Sequence, residues 1–319
     1  LIRINPGPAD RPSMAVPTAA ATVDSMTGPM TDPMIAPAGS PVPVPLPCLD
    51  PAAVTRTDRS AVVGVRLAML AAGQLQLAET FLASDVADLH AGIHQARKSI
   101  RRVRSALALG RRALGVGGRR LDAELGRLCR GLSRLRDAQA LVEALQRLRD
   151  KAPRELQAIL PAAEAAACQR RDRLLQQALA RDPHFAARRR RLRAASLRLQ
   201  RLDWAALRTA DITKAAQRSE RRAAKAGRRA RQKSSDDESW HVFRRRLRRL
   251  HQQDSLLAAL QLPVRAEAKA LEHQAQALGE AQDDAMLLAH CGRRSPFTPA
   301  QRALLRKTAR ERLRDARGQ

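Results

Sequence analysis

From about residue 60 onward, apolar side chains recur three or four positions apart, and the every-second-residue alternation of a half-buried strand is absent. Leu89, Ile93, Ala96, Ile100, Val103 and Leu107 are separated by 4, 3, 4, 3 and 4 residues, which lays one apolar stripe along a helix. Leu121, Leu125, Leu128, Leu132, Leu135, Gln139 and Val142 continue the pattern beyond Gly115–Gly118, so these glycines predict a tight turn between two antiparallel helices. Further breaks fall at Pro153, Pro161, Asp182-Pro183, Ser234 to Asp237, Pro263 and Ser295-Pro296. Thr298 before Pro299 reads as an N-cap with proline at the first helical position. The pattern predicts an all-α chain of roughly eight helices.

Residues 1–52 depart from this pattern. They hold most of the prolines, including the alternating Pro41, Pro43, Pro45 and Pro47, which cannot sit in a helix interior. Arg3 and Arg11 against Asp10, Asp24, Asp32 and Asp50 give the segment a charge of 2 − 4 = −2. A disordered, Pro-rich tail is expected here. The sequence opens on Leu1, so a start at Met14 or a later Met is one expectation, which mass spectrometry of the native N-terminus would settle.

Within the helical part a motif occurs twice. His94-Gln-Ala-Arg97-Lys98-Ser-Ile-Arg101-Arg102-Val returns as His241-Val-Phe-Arg244-Arg245-Arg-Leu-Arg248-Arg249-Leu, with basic residues 3, 4, 7 and 8 positions after each histidine. Ala96, Ile100 and Val103 correspond to Phe243, Leu247 and Leu250. Downstream, Leu132, Ser133, Arg136 and Asp137 correspond to Leu278, Gly279, Gln282 and Asp283. Such agreement implies a duplicated helical hairpin and a pseudo-two-fold arrangement, with halves at about 60–182 and 183–319. At 100° per residue from His94, Arg97, Arg101 and Lys98 fall at about −60°, −20° and 40°, Arg102 at about 80°, and the apolar stripe centres at about 220°. Histidine and cations thus form a stripe beside the buried face, and two such helices could line a cleft between them.

Charge now changes the picture from a helical fold to a binding problem. The 319 residues carry 59 Lys plus Arg against 31 Asp plus Glu, a formal net charge of +28. A field of this size gathers polyanions: nucleic acid, an acidic membrane surface or another polyphosphate. With 44% hydrophobic residues the chain still has enough apolar surface for a core, so the charge must be sorted onto faces. Aromatic residues are only 2%, with no Tyr, which leaves few rings for stacking bases but does not touch phosphate recognition by Arg, Lys, His and backbone N–H groups.

Other chemistry is thinly represented. Cys48, Cys129, Cys168 and Cys291 show neither a C-x-x-C pair nor disulfide-framework spacing, and a reducing cytoplasm is the expected compartment. No run approaches the roughly 20 apolar residues of a membrane span, and the N-terminus lacks the order of a signal peptide. His90 and His94 have i, i+4 spacing but no evident third ligand, so no metal or other cofactor is expected. P-loop, G-x-G-x-x-G and G-x-S-x-G motifs are absent. His94 could equally be a packed core histidine, and its cationic neighbours should hold its pKa down. Asp137 and Asp283 are read as orienting arginines. Arg188–Arg191 and Arg193 look like a generic basic patch. The run Arg218, Arg221, Arg222, Lys225, Arg228 and Arg229 either lines the same cleft or faces water.

The doubled motif resembles the CHAD (conserved histidine α-helical) domain over about residues 60–319. The residues that carry the resemblance are His94, Arg97, Lys98, Arg101 and Arg102, the Arg136-Asp137 pair, and His241, Arg244, Arg245, Arg248 and Arg249. It implies two four-helix bundles around a basic central channel, binding of inorganic polyphosphate by these histidines and cations, to which Arg218 and Arg222 are added as candidates, and association with polyphosphate granules in bacteria. Ser133 stands where the family often has Gly, Gln282 replaces an Arg, and His251 and Gln252 fill positions that are often aromatic. Some members carry a CYTH triphosphatase domain ahead; no E-x-E-x-K motif occurs here, so a binding protein without catalysis is expected. The alternatives are a nucleic-acid-binding protein of nucleoid or RNA type, and an enzyme that processes polyphosphate.

Overall fold

The computed structural model describes residues 56–149, 152–233, 236–265, 268–292 and 295–317, so the expected tail at 1–52 lies outside the described residues. Helices α1 (Arg56–Phe81), α2 (Leu89–Leu109), α3 (Gly115–Gly131), α4 (Ser133–Arg149) and α5 (Arg154–Arg181) lead to a 3₁₀ turn at Pro183–Phe185. Helices α6 (Ala186–Gln200), α7 (Thr209–Gln232), α8 (Asp237–Ala259), α9 (Ala268–His290) and α10 (Pro299–Arg317) follow. Among the described residues there is no strand, as the periodicity requires.

Among the described residues ten helices stand where about eight were expected, because single predicted helices divide. The apolar stripe from Leu121 to Val142 runs through the junction of α3 and α4, where Leu132 is the cap residue and fully buried. Burial continues across the break, so the stripe hides it. The predicted turn at Gly115–Gly118 is also displaced. The chain turns at Gly110–Leu114, and Gly115, at φ +53°, opens α3 with the other glycines in its first turn. Only a residue without Cβ enters a helix from that conformation without strain.

Pro161 does not end a helix. It lies inside α5, where its ring removes one backbone donor, at a cost of about 3 kcal/mol for a helix interior. Leu156, Leu160, Ala163 and Ala167, all buried against α4 and α10, hold the helix together across it. The other expected breaks do separate helices, whereas those after Phe81 and Gln200 were not expected. Asp182 ends α5, and its carboxylate then accepts the Ala187 N–H at 2.7 Å, capping α6. Thr298 and Gln301 exchange side chain to backbone hydrogen bonds at the start of α10, a capping box with Pro299 at the first helical position.

Three apolar clusters form the core. The largest joins α1, α2, α3 and α6 to the start of α7 and the end of α8. A second joins α4 and α5 to the end of α9 and to α10. A small third one holds Phe243 and Leu247 of α8 against the ends of α7 and α9 that face it. Both larger clusters draw side chains from either side of residue 182. Close approach is needed in places: a Cβ on Gly64 of α1 would lie 1.9 Å from the Trp204 carbonyl oxygen. The result for function is that α2 and α8, the two helices of the repeated motif, pack directly on each other.

Candidate anion-binding site

In both copies of the motif the apolar positions go to the core. Ala96, Ile100 and Val103 of α2 and Phe243, Leu247 and Leu250 of α8 are all buried. The cations beside them are therefore half-buried: Arg97, Arg101 and Arg102 on one helix, Arg244, Arg248 and Arg249 on the other. Lys98 and Arg245, at matching positions, are exposed at the edge. Arg245 turns to Glu238 at 3.6 Å, and Arg102 to the Gln74 side chain at 3.4 Å.

The repeat survives as contacts in space. Arg97 donates to the Ser133 hydroxyl at 2.8 Å and to the Cys129 carbonyl. Its counterpart Arg244 lies beside Gly279, the counterpart of Ser133, where an added Cβ would sit 3.8 Å from the guanidinium. His94 stands in the field of Arg136, whereas His241 Nδ1 lies 2.8 Å from Gln282 Oε1, so glutamine replaces a repelled neighbour by a hydrogen-bond acceptor. Counterparts also meet each other. Ser105 donates to Gln252 at 2.9 Å, a buried bond between residues 147 apart, and 147 is also the offset from His94 to His241. Arg101 and Arg248, one turn earlier on each helix and at the same offset, lie in each other's field. A residue meets its own counterpart only at a two-fold axis, which places the approximate axis between α2 and α8 at these two levels.

The cations around the axis are poorly compensated. Burial first, then Arg101, Arg244 and Arg97, lower the Arg248 pKa to about 9, with Cys129 opposing. Burial likewise takes Arg101 to about 10, with Cys129 opposing and Arg97, Arg244 and Arg136 adding to the drop. Both remain charged at neutral pH. Among the described residues neither makes a hydrogen bond or ion pair, and the Nε atoms of Arg97, Arg101 and Arg244 are buried without partners. Each such orphaned donor costs on the order of 1–3 kcal/mol, which a bound anion would relieve. His94 is taken down to about 4 by burial first, then by Arg136 and Arg101, so the ring is neutral at pH 7. The direction is the expected one, but burial outweighs the neighbouring cations.

Arg136 reaches this cluster while bound to Glu143 at 3.0 Å. Asp283 pairs with Arg147 at 2.6 Å, the orienting role expected of it. Asp137, in the field of Arg97 and Arg136, makes no ion pair among the described residues. Arg218 and Arg222 do not join the axial group. They line a separate recess of about 60 Å³ with Arg111, Arg246 and Arg249. Repeat matching passed over Arg246 because its counterpart is Ser99, and over Arg111 because it lies beyond the motif. The patch at Arg188–Arg193 is more compensated: Arg188 pairs with Asp182 at 2.7 Å, and Arg193 lies 3.3 Å from Glu79. His90 stands 3.4 Å from Asp172, away from His94's partners. Among the described residues no group of three or more His, Cys, Asp or Glu is placed to hold a metal, and no helix is long and apolar enough to cross a membrane.

Comparison with known proteins adds the following. The model of the CHAD domain family matches residues 67–292, which include both copies of the motif. The crystal structure of the CHAD domain from the plant Ricinus communis is similar over 83% of this chain and 92% of that one, with 19% sequence identity and a TM-score of 0.54. At that identity the likeness concerns the fold. No curated protein matches the chain.

Proposed function

The chain belongs to the CHAD domain family, and from that premise we propose that it binds inorganic polyphosphate at the α2–α8 contact and associates with polyphosphate granules. The observation that carries this reading is the axial group itself: Arg97, Arg101, Arg244 and Arg248, half-buried, with Arg101 and Arg248 free of any anionic partner among the described residues. Half-burying unpaired like charges is unfavourable unless an anion completes them. A chain with one negative charge on every unit suits a row of guanidinium groups, which bind phosphate oxygens in pairs. Exposed Lys98 and Arg245 would extend the row, and neutral His94 can still donate to a phosphate oxygen. The role is binding, with no step of catalysis.

Nucleic acid also presents phosphates, and the scarcity of accessible rings favours polyphosphate over it. Phe185, Trp204, Phe243 and Phe297 are at most 5% exposed, which leaves only the partly exposed Phe81 and Trp240 to stack on bases. The test is competition. Long-chain polyphosphate should displace the protein from duplex DNA at physiological salt, and no phosphate should be released during incubation. Tighter binding to DNA than to polyphosphate, per charge and at matched salt, would sink the reading.

A further inference from the structure

A second basic site lies where the end of α2 meets α7 and α8. Arg111, Arg218, Arg222, Arg246 and Arg249 converge on the recess of about 60 Å³, and no carboxylate lines it. Among the described residues Arg111, Arg218, Arg222 and Arg246 make no hydrogen bond or ion pair, so their donors are uncommitted. Ser219, on the same wall, donates its hydroxyl hydrogen to Ala215 at 3.1 Å. Burial, then the fields of Arg222 and Arg245, hold the Arg246 pKa down. Arg249 is lowered by burial too; Asp122 offsets this in part, while Arg104, Arg246 and Arg222 add to it. The recess is thus a concave pocket of cations with hydrogen-bond donors to spare.

Its size selects among phosphate groups. A recess of about 60 Å³ closes around one tetrahedral oxyanion more fully than around a chain that must both enter and leave. Its charge selects in the same direction. An internal unit of a phosphate chain carries one negative charge, whereas a terminal phosphoryl group has a second ionisation near pH 6 and carries about −1.5 to −2 at neutral pH. It also offers three free oxygens to guanidinium forks. We propose that this recess binds the terminal phosphoryl group of a phosphate chain, an assignment that rests on the polyphosphate reading above. The axial group then holds the run of the chain, and the recess holds its end.

The test uses the full chain and polyphosphate of one defined length, with free ends or with both ends capped as phosphoramidates. The wild type binds the free-ended chain about tenfold more tightly, the loss expected when charge-assisted hydrogen bonds to one group are removed. Arg218→Gln with Arg222→Gln abolishes that preference and leaves affinity for the capped chain unchanged. Arg101→Gln with Arg248→Gln weakens both chains and keeps the preference. Arg218→Lys with Arg222→Lys, which retains charge without the planar fork, loses part of the preference and guards against misfolding of the glutamine variant. Equal wild-type affinity for capped and free chains overturns the assignment alone. So does orthophosphate binding that needs Arg218 and Arg222 while the two chains bind alike, because the recess is then a free-phosphate site. If neither chain binds, the polyphosphate reading itself falls and takes the chain-end assignment with it.

Discussion

Replacing Arg248 by methionine should make the free protein more stable and the binding weaker. The folded protein holds this guanidinium at a pKa of about 9, well below its ordinary value, with burial the larger cause and three arginines adding to it. At 1.36 kcal/mol per pKa unit that depression corresponds to roughly 5 kcal/mol against the charged form. Water penetration and relaxation reduce it, and exchanging buried charge for apolar volume usually gains about 1–4 kcal/mol. Because the folded pKa lies below the unfolded one, the penalty is present in full at pH 7. It fades only as the pH rises above about 9 toward the ordinary arginine value. Arg248→Met should therefore raise Tm by at least about 2 °C at neutral pH, given 2–4 °C per kcal/mol for a domain of this size. Polyphosphate should reverse the order: at a hundredfold excess over Kd it stabilises the wild type by about 2.7 kcal/mol, and the variant by less. Thermal unfolding followed by circular dichroism, with and without polyphosphate, reads both effects. A variant less stable than the wild type when free, with unchanged affinity, would refute the idea that Arg248 is a strained, unpaired cation kept for a ligand.

Three further outcomes are expected. Charge reversal at Arg97 and Arg101, or at Arg244 and Arg248, should weaken polyphosphate binding by similar factors and lower the slope of log affinity against log salt by roughly 0.7 per lost contact; equal losses from reversal at Arg188 and Arg190 would mean diffuse binding. His94 is lowered to about 4 when folded, so the wild type should lose stability as pH falls from about 6.5 toward 4, and His94→Gln should flatten that limb in acid titrations of the unfolding midpoint. Pro161→Ala should restore a backbone donor within α5 and stabilise by about 1–3 kcal/mol in denaturant unfolding, less than the helix cost alone because proline also restricts the unfolded chain.

The axial group was legible because register carries information that charge alone does not. Matching the cations after His94 to those after His241, 147 residues on, singled out Arg97, Lys98, Arg101, Arg102, Arg244, Arg245, Arg248 and Arg249 from 59 basic residues, and only the structure narrows these to the four around the axis. The Thr298-Pro299 cap was legible for a local reason, since one residue pair makes its own hydrogen bonds. Events decided by packing stayed hidden. The break at Leu132 leaves the apolar stripe intact, and Pro161 survives in a helix because α4 and α10 grip both sides of it. The recess was missed in part because Arg111 and Arg246 follow no repeat and meet Arg218 and Arg222 only through the crossing of three segments.

The meeting of counterparts at Ser105–Gln252 and Arg101–Arg248 has a consequence for how a linear ligand lies down. A strand of nucleic acid has distinct 5′ and 3′ directions, so the two equal halves of a two-fold site meet unlike halves of it. Polyphosphate has no direction: turned end for end, it is the same molecule. It can enter such a site either way round and find equivalent donors, which doubles the productive encounters. The departures from symmetry, Gln282 in the place of Arg136 above all, make the two walls unequal, yet they give a heading only to a ligand that has one.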